Sequence, residues 1–140
     1  MGSMRIFLSC CVIVAVAFAA SAASLFTTTN TAPKLRLEFH IPANTDNDVL
    51  DFFVGFASSE GLTVEDAGAK MPPINGRRIL FLALRKGGAV EVIVGNFLKD
   101  DQFLVSAYEH EATPAFTGIA SRLTDQLKEK WPSTTAYRGP

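Results

Sequence analysis

The sequence predicts an α+β domain: a mixed, mostly antiparallel sheet in β-α-β-β-β-β-α order, with two amphipathic helices on one face. Three observations carry this reading. Leu35, Leu37, Phe39 and Ile41 alternate with Arg36, Glu38 and His40, and Val90, Val92 and Val94 repeat the period of two, as half-buried strands do. Two other stretches, between Thr45 and Gly61 and between Thr113 and Trp131, space their apolar residues as helices do. Lys86-Gly87-Gly88 between two strand-like runs is a hairpin turn, and hairpins make antiparallel neighbours.

Taken in order, the first strand runs from Leu35 to Ile41 and ends at Pro42. Thr45 is placed to cap the following helix, with Asp48 three residues on to complete the pair and favour the positive helix end. Val49, Leu50, Phe53, Phe56 and Ala57 form its apolar stripe, and Gly61 supplies the left-handed residue that stops it. Leu62–Asp66 is a short strand, and the first strand-helix-strand unit is expected to set its two strands parallel. Ala67–Gly76 is irregular. The unbroken apolar run Ile79–Leu84 reads as a central strand covered on both faces. After the glycine turn come a strand centred on Val90–Val94, a connection over Asn96–Gln102, and a strand over Phe103–Tyr108. In the last helix Thr113 caps, Pro114 fits the first position, and Phe116, Ile119, Ala120, Leu123 and Leu127 form one stripe. Trp131-Pro132 ends it, because proline disfavours helix in the residue before it. The layout resembles ferredoxin-like α+β sandwiches in outline only, since the element order differs.

The chain divides into four parts. Residues 1–23 read as a signal peptide: Arg5, an apolar run from Ile6 to Ala23, and the small residues Ala20-Ser21-Ala22, with cleavage expected near Ala22 or Ala23. Retained, residues 6–23 are just long enough to anchor the chain in a membrane. Residues 24–34 form a flexible Thr-rich leader, residues 35–132 the single domain, and residues 133–140 a polar tail. Both cysteines, Cys10 and Cys11, lie in the signal segment. The exported domain would then be cysteine-free, which excludes disulfides, thiolate metal sites and cysteine catalysis. Export without disulfides points to a periplasmic or secreted protein. A net charge of −1 argues against a nucleic-acid binder.

Motif chemistry is sparse. Asn44-x-Asp46-x-Asp48 begins like a calcium loop, but Val49 and Gly55 stand where glycine and glutamate are required. No zinc-binding His-Glu-x-x-His, nucleophile elbow or phosphate loop occurs, and no cofactor is implied. His40 and His110 are the only imidazoles, and with Glu109 they make up a candidate hydrolase or metal site if the strand ends meet. In a regular strand Glu109 and Glu111 face one way and His110 the other. Arg77-Arg78 and Arg85-Lys86 bracket the central run, either as ordinary solvent-facing cations or as a grip on an anionic partner.

The segment Met71-Pro72-Pro73-Ile74, followed by Arg77 and Arg78, is the candidate partner-binding element. It is apolar within a loop, and Pro-Pro stiffens it before any contact is made. The alternative is that Met71 and Ile74 plug the sheet edge. The expected function is therefore non-catalytic binding of another protein or envelope component, as an inhibitor or immunity-type protein. An enzyme using His40, Glu109 and His110, and a membrane-tethered structural domain, are the competing classes.

Overall fold

The structure, a computed structural model, describes residues 32–99 and 101–139, without the side chains of residues 97–99. The signal-peptide and most of the leader expectations lie outside these residues. The described part is one compact unit from Ala32 onward. Its elements are β1 (Leu35–His40), α1 (Asp46–Glu60), β2 (Thr63–Asp66), a 3-10 turn (Ala67–Lys70), β3 (Phe81–Lys86), β4 (Val90–Lys99), β5 (Gln102–Glu109), α2 (Pro114–Lys130) and β6 (Thr135–Arg138). The six strands form one sheet in the order β2-β3-β4-β5-β1-β6, and every neighbouring pair is antiparallel.

Cross-strand register explains how the alternation in sequence becomes two faces. Leu82, Val94, Val105, Leu37 and Ala136 stand in one row across five strands. This row belongs to the apolar core with Val49, Phe53, Phe56 and Ala57 of α1 and Phe116, Ile119, Leu123 and Leu127 of α2. Both helices therefore cover the same face of the sheet. The next row, Ala83, Ile93, Ser106, Arg36 and Tyr137, lies on the opposite face, away from α1 and α2.

Trp131 joins the layers at one end. Its ring stacks on Phe39 of β1 at 4.7 Å and meets Phe52 of α1 edge-on at 5.3 Å, while its backbone N–H closes α2 on Leu127 O at 2.7 Å. Thr113 caps the other end of α2, its hydroxyl accepting from Ala115 N at 3.3 Å. At the far end of α1, Gly61 takes φ +69°, the left-handed stop expected of it.

Four local expectations are corrected. Strands β1 and β2 run in the same direction but are not paired, because β5, β4 and β3 lie between them. Thr45 stands at the N-cap, yet its hydroxyl donates to Pro42 O at 2.7 Å and closes the preceding turn instead of capping. The connection over Asn96–Gln102 is mostly strand: β4 continues to Lys99 with a register irregularity after Gly95, so the two strands are joined by two residues. The tail is not free. Thr135–Arg138 pair with Glu38–Leu35 as β6, which makes β1 an interior strand. Thr134 anchors that turn, its hydroxyl donating to Trp131 O at 2.6 Å while buried.

Candidate functional site

The Met71–Arg78 segment folds as a small hairpin. Ile74 and Arg77 exchange both backbone hydrogen bonds, at 2.9 and 3.0 Å, around Asn75 (φ +53°) and Gly76 (φ +76°). Two successive positive φ values make the mirror-image turn for which Asn-Gly is the preferred pair. Across from Ile74, Arg77 donates from Nε and one terminal nitrogen to both oxygens of Asp46 on the first turn of α1, at 2.9 and 2.6 Å. Arg78 pairs with Asp66, whose other oxygen accepts from Ala69 N at 3.1 Å and holds the 3-10 turn. That turn lies close against the chain entering β3: a Cβ on Gly68 would sit 2.1 Å from Ile79 O.

This arrangement settles where the apolar residues go. Ile74 is 60% exposed and Met71 37% exposed, and Pro72 and Pro73 are exposed with them. Met71 and Ile74 do not plug the sheet edge. A cleft of about 380 Å³ separates the hairpin from the β1–α1 connection and is lined by Asn44, Asp46, Asn75, Arg77 and Asp101.

The four cations around β3 are engaged within the chain. Besides the Arg77 and Arg78 pairs, Lys86 Nζ donates to Glu60 O at 3.3 Å, and Arg85 binds Glu91 and Glu65 at 2.7 Å each. Of the six partner-binding candidates, Met71, Pro72, Pro73 and Ile74 form the exposed arm that leads into the turn. Arg77 and Arg78 are its struts.

The histidines are kept apart. His40 pairs with Gln102 at the start of β5, whereas His110 follows Glu109 at its end, so about 25 Å of strand separates them. His40 is exposed, 3.6 Å from Asp101. Glu109 turns toward α2, accepting from Lys34 Nζ at 2.7 Å and from Thr113 N at 3.4 Å, and the ammonium holds its carboxyl below the usual range. The expected site of His40, Glu109 and His110 is therefore not assembled, because strand alternation and strand length both divide it.

His110 instead meets a residue that sequence reasoning passed over. Its Nε2 lies 3.3 Å from Glu91 Oε1, and its ring stacks on Tyr108 at 5.7 Å. The Glu91 side chain is only 2% exposed and also binds Arg85, whose guanidinium it holds more firmly protonated than usual. A signal was present: a hairpin centred on Gly88 pairs position 85 with position 91, opposite charges facing each other in an apolar run. Among the described residues, no group of three or more His, Cys, Asp or Glu side chains is arranged to hold a metal ion. No described helix is long and apolar enough to cross a membrane.

No protein-family model matches the chain, and comparison with curated proteins and with solved structures finds no significant match to either.

Proposed function

We propose that this chain is a small exported domain that acts without catalysis, by binding another protein of the cell envelope through the Met71–Gly76 hairpin. The observation that carries the reading is Ile74, a large aliphatic side chain 60% exposed beside a turn whose opposite residue, Arg77, is tied to Asp46. An apolar residue held outward by a pinned backbone loses little freedom on docking, so more of its burial is retained as affinity. A preformed, exposed arm of this kind suits an inhibitor or immunity-type protein, whose interface backbone moves little on binding. Export is supported by Arg5, the apolar run from Ile6 to Ala23 and the small residues before Ala23. Removal near Ala22 or Ala23 would release the domain into the periplasm or medium.

The test is a photo-crosslinking residue placed at position 74 in cells of the native host, with position 129 on the wet side of α2 as control. A discrete protein adduct at 74 and none at 129 is expected. No adduct at 74, or the same adduct at 129, overturns the reading. The mass of the chain recovered from those cells tests export separately: a full-length species confined to membranes refutes cleavage.

A further inference from the structure

We propose that the cleft between α2 and the β1–β6 edge is a binding site for a small carboxylate with an apolar body. The cleft has a volume of about 370 Å³, within the range of small-ligand sites. Its construction follows from two registers. In the sheet, Leu35 pairs with Arg138, so both stand on the face that the helices cover. On α2, Thr117 and Ser121 are four residues apart, one position after Phe116 and Ala120, and form a hydroxyl stripe beside the apolar one. Leu35, Phe116 and Ala120 make an apolar floor, Thr117 and Ser121 the wall, and Arg138 the rim.

The electrostatics select an anion. Among the described residues, the cleft's one acid, Glu109, is neutralised by Lys34 at 2.7 Å. Arg138 has no carboxylate partner among the described residues, and the hydroxyls of Thr117 and Ser121 also have none. Thr124 differs, because its hydroxyl donates back to Ala120 O at 2.8 Å. An unpaired guanidinium beside two idle hydroxyls offers the fork and the additional donors that a carboxylate uses. One free cation over an apolar floor favours a monoanion with a hydrocarbon part over a hydrated dianion such as phosphate. This site is independent of the hairpin, which lies on other elements.

The experiment titrates the purified chain with benzoate and hexanoate, with benzamide as the uncharged comparison and with inorganic phosphate. Amide shifts of Thr117, Ser121 and Gly139 are followed by NMR. Saturable shifts at these three amides are expected for at least one of the two carboxylates, with benzamide and phosphate about tenfold weaker or worse. Arg138→Gln should weaken the carboxylate about tenfold without changing the unfolding temperature, and Ser121→Val, which fills the wall, should do the same. The proposal is overturned if neither carboxylate gives a saturable response there. It is equally overturned if Arg138→Gln leaves binding unchanged, which makes Arg138 a solvated edge cation only, or if phosphate binds as well as the carboxylates.

Discussion

Glu91 Oε2 accepts a hydrogen bond from Arg85 Nε at 2.7 Å across the β3–β4 hairpin, and the carboxylate is 2% exposed. A charge at that depth is tolerable because its two oxygens are shared between Arg85 and His110. Arg85→Met should therefore cost about 3–5 kcal/mol in urea unfolding, since it leaves a buried charge short of its strongest partner. Adding Glu91→Leu should recover most of the loss. A cost below about 1 kcal/mol for Arg85→Met would show that the pair is effectively solvated.

Arg122 ties the two helices by donating to both oxygens of Glu60, at 2.5 and 2.7 Å. This pair, chiefly through the hydrogen bond, holds the Glu60 carboxyl below its ordinary value of 4.5. A carboxyl depressed in the folded state contributes stability above its unfolded value, and that contribution disappears as pH falls through the folded value. The parent's unfolding temperature should thus fall more steeply below about pH 4.5 than that of Glu60→Gln. Parallel pH profiles for the two proteins would remove the linkage.

The hairpin arm and the core should respond oppositely to substitution. Ile74→Ser should change stability by no more than about 0.5 kcal/mol, because the side chain is already mostly in water. Leu123→Ala, at a fully buried position in α2, should cost about 2–5 kcal/mol. If Ile74→Ser destabilises comparably, the residue is a packing element and the recognition reading fails with it.

Deleting residues 134–140 should do more than trim a tail. It removes β6 and the Thr134 anchor, and it leaves β1 as an uncovered edge. A lower urea midpoint together with concentration-dependent self-association in analytical ultracentrifugation is expected. A truncated chain that self-associates no more than the parent and unfolds at the parent's midpoint would show that β6 adds nothing.

Gly68→Ala tests the close approach between the 3-10 turn and the entry to β3. A Cβ there meets backbone, Ile79 O at 2.1 Å, which cannot rotate away. A loss of about 1–3 kcal/mol is expected from circular dichroism melts, with Gly55→Ala, where a Cβ meets nothing within 4 Å, showing no loss.

Elements whose signals are local could be read along the chain. Helix stripes, the Gly61 and Trp131 stops, the Thr113-Pro114 start and the Gly87 turn all rest on residues within a few positions of one another. The same locality singled out the Met71–Ile74 segment without deciding whether it is buried or exposed, and it placed Glu109 and His110 on opposite faces. Which strands meet became visible in the folded sheet alone. The sheet seats β1 between β5 and β6, whose partners lie about 60 to 100 positions away, and the alternation in β1 is the same for an edge strand as for an interior one. Four-residue β6 has too few alternating positions to be recognised without its partner. The pairings that make sites, Arg77 with Asp46 and His110 with Glu91, likewise join elements that periodicity describes separately. Periodicity reports which face a residue takes, whereas a site needs to know which two faces are brought together.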